Sequence, residues 1–140
     1  MKQLLLFAAT CISALTLAAS VGATTTRDSF AGVWVGVEIP IGDGSTDIMA
    51  IGGPNSDGSR TWRYYETNAS GYCGPGGGGP LSAAGTARAV GATLTITVIS
   101  AQCTNGQPGA FPPPFQITMT SLGNGTIDWN GVIFNRLGSG

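Results

Sequence analysis

The chain has 140 residues, of which 42% are hydrophobic and 9% charged, and its formal net charge is −1. A composition this apolar excludes a chain that is disordered throughout, and a charge this close to zero argues against nucleic acid or an anionic membrane surface as a partner. The chain contains no histidine, which excludes a Ser-His-Asp catalytic arrangement and the usual zinc site. We therefore expect a protein that is not an enzyme and that uses no cofactor and no metal.

Residues 1–23 are typical of a secretory signal peptide. A positive charge precedes an apolar run that ends at Ala19, and Val21 and Ala23 occupy the −3 and −1 positions of a cleavage site. The run is too short and too interrupted for a membrane span, which needs about 20 mostly apolar residues. The sequence predicts a secreted or periplasmic protein with no membrane attachment after cleavage, whose residues 24–140 form a single domain.

Cleavage of the signal peptide removes Cys11 and leaves two cysteines, Cys73 and Cys103. In a compartment that oxidises thiols, a disulfide between them is the expected state. The alternative is a pair of separate buried thiols.

The remainder of the chain lacks helical spacing. Short apolar or alternating runs, separated by turn residues, predict an all-β domain. Two longer loops are expected, at 67–80 and 102–114, whereas the other connections are tight turns. Consecutive tight turns favour an eight-stranded antiparallel up-and-down barrel, which leaves no exposed edge, over the alternative of a β-sandwich. The predicted strands are 32–39, 45–52, 59–66, 81–90, 93–98, 115–120, 126–129 and 132–137.

The motif Phe30-x-Gly32-x-Trp34 opens the first of these strands, and Arg136 stands near the end of the last. With eight strands between them, these residues resemble the Gly-x-Trp signature of the lipocalin and calycin barrels. The resemblance implies that Gly32, Trp34 and Arg136 close the barrel, with the arginine packed across the tryptophan ring in a cation–π contact. The wider pattern, which adds Asp43-Gly44-Ser45 and the two later cysteines, is also similar to small secreted bacterial proteins.

The apolar residues of the first strand do not all fall on one face. Under a strict period of two, Trp34 faces away from Val33, Val35 and Val37. A β-bulge at Gly36 would bring the later apolar residues round to the side of Trp34. The alternative is a strand that is apolar on both faces.

The lipocalin resemblance implies a non-enzymatic barrel that binds a small apolar or amphipathic molecule. Residues that point inward from the third, fifth and sixth strands are the candidates to line the ligand site. The alternative is that they fill a packed interior, since eight-stranded barrels are just wide enough for side chains. The candidates are Trp62, Tyr64, Leu94, Ile96, Val98, Phe115, Ile117 and Met119.

Other functions remain open at this point. The loops 67–80 and 102–114 could recognise a protein partner, as in a barrel-type protease inhibitor, and avidin-like biotin-binding barrels also open with Gly-x-Trp. The oxygen-rich segment 43–47 lacks the spacing of an EF-hand loop, so we expect a turn there and no calcium site. Asn68 and Asn124 begin glycosylation sequons, which have meaning only in a eukaryotic host.

Overall fold

The computed structural model describes residues 28–38, 44–74 and 78–138, so the predicted signal peptide and Asp43 lie outside the described residues. Each strand pairs antiparallel with its sequence neighbours, and the first strand pairs with the last, so the sheet closes into an up-and-down barrel. This confirms the all-β barrel and excludes the sandwich. The strands are β1 (Gly32–Val37), β2 (Thr46–Ile51), β3 (Ser59–Glu66), β4 (Leu81–Val90), β5 (Thr93–Cys103), β6 (Phe115–Gly123), β7 (Thr126–Trp129) and β8 (Val132–Leu137).

The predicted bounds of β3, β4, β7 and β8 agree with the structure, and β2 is one residue shorter at each end. The prediction that the second loop begins at Gln102 is wrong, because β5 continues to Cys103, which pairs with Leu81 of β4. β6 likewise continues past its predicted end to Gly123. β1 ends at Val37, and Ile39 lies outside the described residues. Within those residues, no helix is long and apolar enough to cross a membrane.

Two of the turns are set by Asn-Gly pairs. Asn124 and Gly125 have φ angles of 51° and 75°, and Asn130 and Gly131 have φ angles of 51° and 92°. Two successive positive φ angles make a type I′ turn, whose twist matches that of the flanking strands. These pairs therefore fix the hairpins that join β6 to β7 and β7 to β8.

Strand β1 contains no bulge, because its six residues pair with β2 in unbroken register. Trp34 and Gly36 face the interior, and the three valines of β1 face outward. A Cβ atom at Gly36 would lie 3.2 Å from the ring of Phe134, so the glycine leaves room for that ring. The predicted β-bulge at Gly36 is wrong, and β1 is apolar on both faces.

A bulge does occur in β4, where the register with β5 shifts between Ala84 and Gly85. A Cβ atom at Gly85 would overlap the backbone oxygen of Thr97 and lie 3.1 Å from the Cα atom of Val98. The absence of a side chain therefore allows β4 and β5 to approach each other at this point.

We expect Gly85→Ala to lower the free energy of unfolding by about 1–3 kcal/mol, because the backbone must move to admit the methyl group. Guanidinium chloride denaturation measures this change. Gly53→Ala is the matched control, since a Cβ atom there meets nothing within 4 Å. Equal stability of the two variants would contradict the close approach at Gly85.

The strand directions give the barrel two different ends. β1 begins and β8 ends at one of them, together with the segment 28–31; we call this the closed end. The opposite end carries the described parts of two long connections, residues 67–74, 78–80 and 104–114, and we call it the open end. Cys73 and Cys103 form a disulfide there, with their Cα atoms 5.6 Å apart.

The packed part of the interior lies towards the closed end. Its side chains come from six strands and are all excluded from solvent, as expected for inward-facing positions of a small barrel. These residues are Trp34, Met49, Leu94, Ile96, Met119, Ile127 and Phe134.

Candidate ligand-binding cavity

Trp34 and Arg136 are neighbours at the closed end, where β1 pairs with β8. Trp34 is fully buried, and the Cζ atom of Arg136 lies 4.5 Å from the centroid of its ring. Arg136 Nη2 also donates hydrogen bonds to the backbone oxygens of Asp28 (3.0 Å) and Ser29 (2.7 Å). Trp34 Nε1 donates to the backbone oxygen of Phe30 at 2.9 Å. The indole ring of Trp34 is thus the point at which β1, β8 and the N-terminal segment are joined.

Asp28 connects the same N-terminal segment to β3. Its carboxylate accepts hydrogen bonds from Arg60 Nη1 and from the backbone N–H groups of Phe30 and Ala31. Burial raises the pKa of Asp28, but these hydrogen bonds outweigh it and leave the pKa below its ordinary value. The charged carboxylate is therefore the form that holds the closed end together.

A cavity of about 500 Å³ occupies the open half of the barrel. Residues at its inner end, such as Trp62 and Val98, are buried, whereas Phe111 and Gln116 at the mouth are exposed. The cavity therefore reaches from the packed core to the surface. Its lining consists of six aromatic residues (Trp62, Tyr64, Tyr72, Phe111, Phe115 and Trp129), five aliphatic residues (Leu81, Ala83, Val98, Ala101 and Ile117), and Gly71, Glu66 and Gln116.

The eight candidate lining residues divide into two groups. All eight come from the predicted inward faces, and five of them line the cavity. The other three are fully buried in the packed core and are not part of the lining. The first group is Trp62, Tyr64, Val98, Phe115 and Ile117; the second is Leu94, Ile96 and Met119. The interior is thus packed towards the closed end and hollow towards the open end.

Three aromatic rings form one wall of the cavity. Trp62 and Tyr64 stack with their centroids 5.7 Å apart and their planes 8° from parallel. Trp129 meets Tyr64 edge to face, at 5.5 Å and 83°. Both arrangements are favoured by the quadrupoles of the rings, so the wall is fixed by its own contacts.

Three further rings surround the mouth. Tyr72 lies 6.3 Å from Phe111 and 6.2 Å from Phe115, measured between ring centroids. The hydroxyl of Tyr72 donates to the backbone oxygen of Phe111, and the backbone N–H of Ala110 donates to the backbone oxygen of Tyr72 at 2.8 Å. Together with the disulfide, these bonds hold the two long loops against each other at the mouth.

Glu66 is the acidic residue of the lining. Its carboxylate accepts hydrogen bonds from the hydroxyl groups of Tyr64 (3.1 Å) and Ser45 (3.4 Å). Burial, and then the nearby carboxyl groups of Glu66 and Asp47, raise the pKa of Tyr64 well above its ordinary value. Tyr64 therefore keeps its proton and acts as a donor to Glu66.

Two more carboxyl groups lie beside Glu66. Oxygen atoms of Glu38, Asp47 and Glu66 all lie within 4.8 Å of one another, and Asp47 is fully buried. In the part of the chain that the structure describes, this is the one group of three acidic residues close enough to share a cation. The open end thus carries a concentration of carboxyl groups.

Trp62 contributes a polar atom as well as a ring. Its Nε1 atom is buried and meets no hydrogen-bond acceptor among the described residues. A buried donor of this kind is usually satisfied by protein, by ordered water or by a ligand, and Trp62 lines the cavity.

Sequence reasoning missed several lining residues. Trp129 could have been found, because it alternates with the buried Ile127 on β7. Glu66 shares the face of Trp62 and Tyr64 on β3, which was visible in the sequence. Tyr72 and Phe111 lie in loops, where no periodicity marks the side that faces the interior.

Comparisons of the chain with models of protein families, with curated proteins and with solved structures gave no match. The cavity is therefore interpreted from its own geometry and chemistry.

Proposed function

We propose that this protein is an exported, non-enzymatic carrier that holds a small apolar or amphipathic molecule in the cavity of its barrel. The observation that carries the proposal is the cavity of about 500 Å³ with its aromatic lining. Ligand sites commonly measure roughly 300–1,000 Å³ and combine apolar walls with a few polar groups. The Gly-x-Trp opening, the terminal arginine and the resemblance to lipocalin and calycin barrels are in keeping with this role.

One further observation supports the proposal. The unsatisfied Nε1 of Trp62 is a donor that a ligand could use. Export is supported by the signal-like residues 1–23 and by the disulfide between Cys73 and Cys103.

Titration with the neutral probe N-phenyl-1-naphthylamine tests this function. We expect one probe molecule to bind per chain, with a rise in probe fluorescence. Ala83→Phe fills part of the cavity and should raise the Kd of the probe about tenfold. Ala50→Phe is the matched control, because Ala50 is exposed on β2, and it should leave the affinity unchanged. No binding by the wild type, or equal binding by both variants, would contradict the proposal.

A second function, recognition of a protein partner such as a protease, is favoured by one observation. Phe111 is 63% exposed in a loop that the disulfide and Tyr72 hold in place, and aromatic residues are enriched in interfaces. Inhibition assays against serine and cysteine proteases test it, with a variant that lacks residues 106–109. Inhibition that the deletion abolishes would support this function, and an absence of inhibition by the intact protein would exclude it.

A further inference from the structure

The charged groups of the barrel are unevenly distributed along its axis. Arg60, Arg88 and Arg136 contact the N-terminal segment or the β2–β3 turn, at the closed end. Among the described residues, Arg63 is the remaining cation, and it lies on the outer face of β3. The chain's single lysine is Lys2, so no cationic side chain among the described residues lines the cavity.

The open end carries carboxyl groups instead. Glu66 lines the cavity, and the oxygens of Glu38 and Asp47 lie within 4.8 Å of its own. Charges in a cleft with low-dielectric walls focus the field and attract the opposite charge. The cavity is therefore a favourable place for a positive charge and an unfavourable one for an anion.

The aromatic wall has the same preference. The face of an aromatic ring carries negative potential, and a cation within about 6 Å of the ring centroid is attracted to it. Trp62, Tyr64 and Trp129 line the cavity together with Glu66, whose carboxylate accepts a hydrogen bond from the hydroxyl of Tyr64. Quaternary ammonium groups are recognised in proteins by clusters of aromatic rings, and the carboxylate of Glu66 adds a charge of the opposite sign.

From this arrangement, and given the proposed carrier function, we infer that the ligand is an organic cation: an amine or quaternary ammonium group on an apolar body. The charged group lies against Glu66 and the aromatic wall. The apolar body extends along the aliphatic side chains of β4, β5 and β6. Trp62 lines the same cavity, and its buried Nε1 meets no acceptor among the described residues; an oxygen atom on the body of the ligand would satisfy this donor, which an ammonium group cannot.

Three probes with the same eight-carbon chain test the inference by isothermal titration calorimetry: octyltrimethylammonium, 1-octanol and octanoate. The cation should bind about tenfold more tightly than the alcohol, which corresponds to one cation–π contact of ordinary strength. Octanoate should bind more weakly than the alcohol. This comparison uses the wild-type protein and does not depend on the folding of any variant.

Glu66→Gln then tests the residue that carries the inference. It should remove most of the preference for the cation, measured as the ratio of the affinities of the same variant for octyltrimethylammonium and for 1-octanol. Asp128→Asn is the matched control, since it also removes one negative charge while its side chain keeps the oxygen that accepts from the N–H of Gly131. This control should retain the preference.

The outcomes separate the inference from the function on which it rests. If 1-octanol or octanoate binds as tightly as the cation, or if the preference survives in Glu66→Gln, the inference is overturned and the carrier function stands. Binding of N-phenyl-1-naphthylamine without binding of octyltrimethylammonium likewise overturns the inference and leaves the carrier function in place. If none of these probes binds, the carrier function itself fails.

Discussion

Replacing Trp34 with alanine is expected to lower the free energy of unfolding by about 3–5 kcal/mol. The ring is fully buried and lies under the guanidinium of Arg136, and its Nε1 atom holds the backbone of Phe30. Removal of the ring leaves a void between β1 and β8 and takes away the surface on which Arg136 packs. Since small domains are stabilised by only about 5–15 kcal/mol, this one change removes a large share of the total.

Val33→Ala is the control for this experiment. Val33 is adjacent in β1 but faces outward and is 42% exposed, so we expect a loss below about 1 kcal/mol. Equilibrium denaturation in guanidinium chloride measures both variants. A Trp34→Ala protein within about 0.5 kcal/mol of wild type would show that the indole ring does not close the barrel.

Removal of the disulfide by the double substitution Cys73→Ala and Cys103→Ala should lower the free energy of unfolding by about 3–4 kcal/mol. The bond joins residues 30 positions apart, and closure of a loop of this length restricts the unfolded chain by about that amount. Alanine is the suitable replacement, because Cys73 is fully buried and a serine hydroxyl there would need a hydrogen-bond partner.

The double variant should also bind N-phenyl-1-naphthylamine less tightly, because the disulfide helps to hold Tyr72 and Phe111 at the mouth of the cavity. Addition of a reductant provides the control: it should destabilise the wild type and leave the double variant unchanged. Coincident denaturation curves of oxidised wild type and double variant would exclude a stabilising role for this bond.

Much of the barrel could be predicted because short-range rules fix it. In β5, the alternation of Leu94, Ile96 and Val98 with threonines identifies both the strand and its buried face. The two Asn-Gly pairs specify tight hairpins because only residues that tolerate positive φ angles can form them. The tight turns then leave a meander whose ends meet, which is the barrel that the structure contains.

The features that were missed depend on long-range contacts. The need for glycine at position 36 arises from the ring of Phe134, almost a hundred positions further along the chain. The extension of β5 to Cys103 arises from pairing with β4 across a bulge and leaves no alternation in the sequence. Neither feature leaves a pattern in the neighbouring sequence from which it could be predicted.

The chemistry of the cavity was the least predictable part. Glu38 follows β1, Asp47 is the second residue of β2 and Glu66 ends β3, and the pairing of these strands brings the three side chains together. Small side chains such as Ala83 and Ala101, and aromatic residues from the two long loops, line the cavity of the open half. Strand periodicity predicts which residues point inward but does not predict whether they fill the space.

Native mass spectrometry of the protein isolated from its natural host tests the central claim most directly. We predict a chain that begins at Thr24, contains one disulfide and carries one small organic cation that is released when the protein is unfolded. Detection of the chain alone under native conditions, in a preparation that also fails to take up N-phenyl-1-naphthylamine, would contradict the claim that this barrel is a carrier.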